Sequence, residues 1–502
     1  MRGSRRFAAA LLLAAVASAA CGTTVPLGQQ SQAQAGSSGL GGAGSASDSA
    51  PGSTSGGSTS GTAVTGTAPD GQSVAGPGGQ TSGTSGTVGT TGTTTGAIGS
   101  TTGGVTARSP IKIGVLTATG AAKYQRSLGF SKGASGDQVA MTQSVVSWIN
   151  AHGGLGGRKI QLVSYDLDYG AAAADLSSAM QAACTYFTQD DRVVAVASYI
   201  ALAPDSFYAC MAKAHVPLVN PDEGASSDFF KRYANTVYVP SGPSYTRLLA
   251  DSVDALWDAG WLTSKSVVGV VGYDTNDVHS IVDEGLVPAL QRHGVKLTTG
   301  FYTSTNTDAA GQYSGGVLNF KAKNVDRVFF APGGQPIYFG LAAEQQAYHP
   351  YYEMGSLEYP NPVAQTLPSD QLVGSMGLGW LPYLDLPSSE WPKVATPGIA
   401  ECRKAMAAAK QDYSGSTTLA IAAWVCDDWL FLRDVFAAGA TPDEPGIRHA
   451  ADSLGATFRP AATFRSLLGP NRTHDGAAGY RLLTFQSSCT CYRYISPVRT
   501  LP

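Results

Sequence analysis

The sequence predicts an α/β protein, two doubly wound parallel-sheet lobes preceded by a disordered N-terminal tether. Three observations carry this reading. From residue 109 onward, short apolar β-rich runs alternate with amphipathic helical stretches. The alternation comes in two series, with a break near 240–244. Residues 21–108, by contrast, hold few large apolar side chains.

The N-terminus comes first. Arg2, Arg5 and Arg6 precede the small, apolar run FAAALLLAAVASAA, and Cys21 follows it. A charged start, a short apolar stretch and a small-residue exit make an export signal over 1–20. The run is too short to span a bilayer comfortably. Small residues before a cysteine resemble the bacterial lipoprotein box, which implies lipidation at Cys21, although Ser18 stands where that box usually has Leu. The plainer alternative is ordinary cleavage and an unmodified thiol. SRRF also faintly resembles a twin-arginine export motif.

Residues 21–108 are Gly, Ser, Thr and Ala in irregular runs. No aromatic residue occurs between Phe7 and Tyr124, and the only charges between Arg6 and Arg108 are Asp48 and Asp70. Such a stretch cannot offset the entropy of ordering its backbone, so it reads as a tether. About 87 flexible residues have an r.m.s. span of about 50 Å. That length would hold a folded body clear of a membrane.

The folded part then alternates in order. IKIGVL (111–116) leads to a helix ending VVSWINAH, and KIQLVSYD (159–166) to DLSSAMQAACTYF. RVVAVAS (192–198) leads to PDSFYACMAKAH, and VPLVN (216–220) to a loop of Asp, Glu, Gly and Ser. After TVYVPSGP the pattern restarts with helix SYTRLLADSVDALWDAG, strand SVVGVVGYD (266–274) and helix VHSIVDEGLVPALQRHG. VKLTTGFYT, RVFFAPGG (327–334), helix FGLAAEQQAYH and YYEMGSLEY (351–359) complete it. Continuous apolar strands between helices imply parallel sheets covered on both faces. Ligands of such sheets sit outside the carboxyl ends of the strands. Gly153, Gly154, Gly156 and Gly157 let the first helix end in left-handed conformations and drop into the next strand. They precede a strand rather than a helix, so they do not make a phosphate loop.

Charge and cysteines narrow the class. A net charge of −3, with 14% charged residues, gives no grip on nucleic acid or an anionic membrane. Beyond Cys21 there are Cys184, Cys210, Cys402, Cys426, Cys489 and Cys491, an even number that suits disulfides in an exported chain. The preferred pairs are 184/210 and 402/426, on successive predicted helices. Cys489 and Cys491 stay open: a bridge between them is strained, and the other reading pairs one of them elsewhere to staple down the tail. The seven histidines are scattered singly, so neither a metal nor a cofactor is expected. No catalytic fingerprint stands in the folded part, and the chain is not read as an enzyme.

WINAHGGLGGRKIQLVSYD resembles the helix-to-second-strand segment of type I periplasmic binding proteins, in the leucine/isoleucine/valine-binding branch of ABC transporter components. The likeness continues, in order, through IKIGVLTATG, VPLVNPDEGASS, SVVGVVGYDTND, NVDRVFFAPGGQPIYFGLAAEQQAYHPYYEMGS and TTLAIAAWVCDDWLFLRDVFAAG. It implies a hinged two-lobe clamp with three crossovers. Lobe 1 would hold 109–242 and 373–460, and lobe 2 would hold 243–372 and 461–502. It also implies an extracytoplasmic, lipid-anchored monomer that closes on a small polar ligand, an amino acid first of all, and hands it to ABC permease subunits. Amides, urea and aromatic acids are the alternative ligands, and a sensor with the same fold is the alternative role.

The resemblance places the ligand as well. Ser198, Tyr199 and Ile200 follow the third strand, and Glu223, Ala225 and Ser226 follow the fourth. Tyr273 ends the first strand of the second lobe, and the family's next aromatic is replaced by Val278 or His279. Gln335 and Tyr338 come from the RVFFAPGGQPIY loop, Glu358 is the partner for a ligand ammonium, and Tyr124 stands in the first loop. A buried zwitterion needs donors at one end and a carboxylate at the other. Each residue has a plainer reading: Tyr273 as core, Glu358 as a solvated acid, Ser198 as a turn former, Tyr124 facing water. Asp427 and Asp428 read as a solvent-facing helix surface. The tail 460–502 runs beyond the likeness, and no role is assigned to it.

Overall fold

In a computed structural model, residues 108–118, 136–168, 175–200, 203–219, 225–303, 309–410, 412–414, 416–469 and 473–502 are described. The signal segment, Cys21, the tether up to 107, Tyr124 and Glu223 lie outside them.

The first series forms a five-stranded parallel sheet in the order β2-β1-β3-β4-β5: β1 Ile111–Thr117, β2 Ile160–Asp166, β3 Ala195–Ser198, β4 Leu218–Val219 and β5 Val237–Tyr238. Nearly every β1 residue is buried, because helices cover both faces, whereas edge strand β2 alternates between buried and exposed. Helices α1 (Gln138–Ala151) and α2 (Leu176–Thr185) start where Asp137 and Asp175 accept backbone N–H groups of the first turn. α3 (Asp205–Lys213) and α4 (Ser227–Arg232) follow β3 and β4.

The glycine turn is built as its composition requires. Gly153, Gly154, Gly156 and Gly157 all have positive φ, and Leu155 pairs with Arg158 between them. A Cβ on Gly154 would lie 2.1 Å from the Arg158 carbonyl oxygen.

The second series starts with α5 (Tyr245–Asp258) and forms a parallel sheet in the order β7-β6-β8-β9, from β6 Val268–Tyr273, β7 Leu297–Thr303, β8 Arg327–Phe330 and β9 Tyr351–Tyr352. The single helix expected behind β6 is α6 (Asn276–Ile281) and α7 (Val287–Arg292), joined by a π-turn over Val282–Leu286. Pro288, with no N–H to give to the residue four back, accounts for the interruption. α8 (Ala309–Ala322) and α9 (Pro336–Gln345) follow β7 and β8. YYEMGSLEY is a strand for only two residues. Glu353 then bridges Met376, and Ser356–Glu358 is a 3-10 turn.

After the short helices α10 (Pro360–Ala364) and α11 (Ser369–Leu372), the chain adds something the alternation did not announce. β10 (Met376–Gly379) runs parallel to the end of β9 through the Glu353–Met376 bridge. It pairs antiparallel with β11 (Gly479–Gln486), which pairs in turn with β12 (Cys491–Tyr494). The tail is therefore structural. β10 also lies past residue 372, where the chain was expected to have left the second lobe. Between β10 and β11 run α12 (Pro382–Asp385), α13 (Ile399–Ala405), the long α14 (Ser416–Ala437) and α15 (Glu444–Leu454). Ser144 of α1 donates to the Ala405 carbonyl at the end of α13, which ties this stretch to the first lobe.

The disulfides Cys184–Cys210 and Cys402–Cys426 join α2 to α3 and α13 to α14, the pairs preferred from sequence. Cys489 and Cys491 bridge each other in the turn before β12. Neither staples the tail to the body. Strand pairing does that, with Tyr492 donating to or accepting from Ser375 (2.8 Å) and Leu501 N–H donating to Ala478. Among the described residues, no helix is long and apolar enough to cross a membrane.

Candidate functional site

Parallel strands aim their carboxyl ends one way, so each sheet has one edge where loops gather. On the first sheet that edge carries Asp166, Thr117 and Ser198, followed by Tyr199 and Ile200. The Thr117 hydroxyl donates to Asp166 (2.9 Å). Ser198 is buried, and its Oγ accepts the Ile200 N–H (3.3 Å), so the hydroxyl shapes its own turn. The Tyr199 phenol turns inward between two helices: it accepts from Trp429 Nε1 of α14 (2.8 Å) and shares a 2.9 Å bond with Thr142 of α1. Burial first, then the nearby Asp428, pushes this phenol far above the ordinary tyrosine value. Ser226 caps α4 by accepting from Phe229 N–H (3.0 Å), and the Ala225 carbonyl accepts from Tyr245 N–H (2.9 Å) at the start of α5. The loop after β4 is thus tied to the first helix of the second series.

The second edge, in the order β7-β6-β8-β9, is richer. Tyr273 ends β6, and its ring lies flat against Gly333, where a Cβ would fall 1.8 Å from a ring carbon. Gly333 has φ +79°, a conformation that side chains rarely adopt. Gln335 is buried, and its N–H donates to the Tyr313 phenol (3.2 Å). Tyr338 faces Tyr313 with ring centroids 5.8 Å apart. Thr303, at the end of β7, is buried beside the same phenol. Tyr273, Gln335 and Tyr338 are therefore brought together around Tyr313, a residue the sequence did not single out. Nothing in the GQYSGG context marks Tyr313, because its role comes from the packing of α8 against the β8 loop. Of the two residues in place of the family's aromatic, Val278 is buried under Gly272 and His279 packs at a tilt against Tyr302 (ring centroids 4.2 Å apart) while bonding Asp274 (2.9 Å).

At the end of β9, Glu358 is buried, not solvated. One oxygen accepts from Gly355 N–H (2.8 Å), and Glu353 lies close by on the other side of Gly355. Ser356 Oγ accepts from Trp380 and Leu381 N–H and donates to Asp385 (2.9 Å), which also accepts from the Tyr494 phenol of β12. Burial pushes Glu358 up to about 8 against the hydrogen bonds it accepts, and the charge of Asp385 adds to this. Burial likewise lifts Asp385 to about 7, and burial with the charge of Glu358 lifts Glu353 well above the carboxylate range. None of the three makes an ion pair among the described residues. Burial favours the neutral form of such acids, and an incoming cation would favour the ionised one.

Asp427 and Asp428 correct the sequence reading. Both are fully buried on α14, not turned to solvent. The signal was present in the sequence: from Leu419 to Leu432 they are the only charges in an apolar helix. Among the described residues no group of three His, Cys, Asp or Glu is arranged to hold a metal ion.

Solved structures share this architecture. A possible leucine/isoleucine/valine-binding protein from Rhodopirellula baltica aligns with TM-score 0.55 at 14% identity, over 77% of this chain and 96% of its own. A branched-chain amino acid transporter substrate-binding protein from Streptococcus pneumoniae, in complex with isoleucine, aligns with TM-score 0.53 at 15% identity, over 77% and 100%. An ABC transporter solute-binding protein from R. palustris, in complex with 4-hydroxybenzoate, aligns with TM-score 0.57 at 13% identity, over 79% and 98%. None of the curated proteins matches the chain. Residues 110–487 match the family described as periplasmic binding protein. With most of the described chain inside that match, and with two parallel sheets whose carboxyl edges gather the polar loops, this chain belongs to the type I periplasmic binding proteins, a family whose role is solute binding.

Proposed function

We propose that this protein is the extracytoplasmic receptor of an ABC importer, closing on a small polar ligand between its two lobes and delivering it to permease subunits. The observation that carries the reading is the second sheet's carboxyl edge, where Tyr273, Gln335 and Tyr338 gather around Tyr313 and where the buried acids Glu353 and Glu358 follow β9. An amino acid fits this edge with its ammonium toward Glu358 and its side chain against the tyrosines. Solved relatives of the fold hold isoleucine and 4-hydroxybenzoate, and a branched-chain amino acid is the first candidate. The tyrosine cluster favours one second reading, an aromatic acid. Lipidation at Cys21 and the tether would keep a monomeric body near its permease.

Thermal unfolding of the full chain against leucine, isoleucine, valine, amides, urea and 4-hydroxybenzoate tests this. A compound at 100 times its dissociation constant stabilises by about 2.7 kcal/mol. The amino-acid reading expects leucine, isoleucine or valine to raise the midpoint and Glu358→Gln to abolish the rise. A rise with 4-hydroxybenzoate alone that survives Glu358→Gln moves the assignment to aromatic acids. No shift with any compound removes the transport reading and leaves the fold.

A further inference from the structure

Asp427 holds the chain where it passes between the lobes. It accepts from the Ser241 hydroxyl, on the segment that leaves β5 for α5, and from the N–H groups of Ala461 (2.5 Å) and Ala462 (2.9 Å), on the segment that returns toward β11. One side chain thus clasps the first and third crossovers. It is fully buried and makes no ion pair among the described residues. The titratable groups that face it are Asp428 on its own helix and the Tyr383 phenol of α12, which also feels Arg403. Both oxygens of Asp428 lack a hydrogen-bond partner.

A buried carboxyl beside a second acid, with no cation, favours its neutral form. Burial outweighs the three donors and pushes Asp427 up to about 7. If the crossovers part and water enters, the group returns to an ordinary carboxylate. The clasped arrangement therefore binds a proton that the parted one releases, and rising pH favours parting. We propose that Asp427 is a proton-linked clasp at the hinge: neutral, it holds the first and third crossovers together, and ionised, it draws water between them and frees the lobes to rotate. The inference rests on the two-lobe clamp reading, but it requires no ligand.

Amide hydrogen exchange on the ligand-free full chain, normalised for intrinsic rates from pH 5.5 to 8.5, reads the clasp directly. Protection of peptides covering 239–244 and 459–463 should fall together as pH rises to about 7, by at most about tenfold per pH unit for one proton, and level off above it. Asp427→Asn should flatten the fall and Asp428→Asn should retain it. Ser241→Ala should lower protection of 239–244 at every pH while the 459–463 slope persists. A flat wild-type profile, a wild-type slope in Asp427→Asn, or a slope lost in Asp428→Asn instead overturns the proposal. Should Asp427→Asn fail to fold, a Ser241→Ala profile identical to wild type overturns it alone. Failure of every compound in the binding panel would leave these exchange results standing, so the two readings fail separately.

Discussion

Asp385→Asn separates burial from hydrogen bonding in one side chain. Asp385 sits at the end of α12, fully buried, with Oδ2 taking the Ser356 and Tyr494 hydroxyls and Oδ1 taking nothing. Its carboxyl is lifted from 3.8 to about 7, chiefly by burial. A raised folded value means that the folded state binds a proton the unfolded chain has released between those two limits. Stability from this group is therefore full below pH 3.8 and is lost as pH rises to about 7. A displacement of about three units is worth about 4 kcal/mol. Asparagine keeps an acceptor for Ser356 and Tyr494 and cannot ionise. Its NH2 would face the side where Oδ1 has no partner, at a pH-independent cost of about 1–3 kcal/mol. Urea unfolding of wild type and variant from pH 4 to pH 8.5 should show Asp385→Asn gaining on wild type by up to about 4 kcal/mol, with the gain concentrated between pH 5 and 7. Comparing the two curves cancels Asp427, which shifts the same way, whereas Glu358 feels the Asp385 charge and loses part of its own rise in the variant. A difference that stays flat across this range, or that moves against the variant as pH rises, refutes the account of a buried neutral acid.

Two further outcomes follow from the geometry. Gly333→Ala forces a Cβ into the Tyr273 ring at positive φ, so it should destabilise by about 2–4 kcal/mol and change the near-ultraviolet circular dichroism of the tyrosine cluster; a variant within 0.5 kcal/mol of wild type would mean the ring does not lie there. Asp475→Ala strips the partner from Arg247, a pair with side-chain exposures of 4% and 17% that ties α5 to the segment before β11. Loss of about 3–5 kcal/mol in urea unfolding is expected for a buried pair, whereas a loss below 1 kcal/mol would place the pair on the surface.

Local rules made much of the fold legible. Apolar runs bounded by caps and glycines gave the strands of both parallel sheets, because burial on both faces leaves a continuous hydrophobic signature. The strand at 351–359 shrank to two residues, since its later residues turn away to build the acid cluster. Ser198 and Tyr273 could be placed at strand ends because topology alone sets where strands stop. Where each side chain turns is a different matter. Tyr199 swung into the junction of α1 and α14, where Thr142 and Trp429 meet its phenol.

What the sequence determined by itself was the order of elements, the junctions, the two helix-joining disulfides and the strand ends. Each follows from neighbours along the chain. The tertiary structure alone decided the antiparallel β10–β11–β12 sheet, the gathering around Tyr313 and the burial of Asp385, Asp427 and Asp428. These depend on segments as far apart as Ser241 and Ala462, or Ser356 and Tyr494, meeting in space. A carboxyl's environment is set by what covers it, and for these acids the cover comes from the far end of the chain.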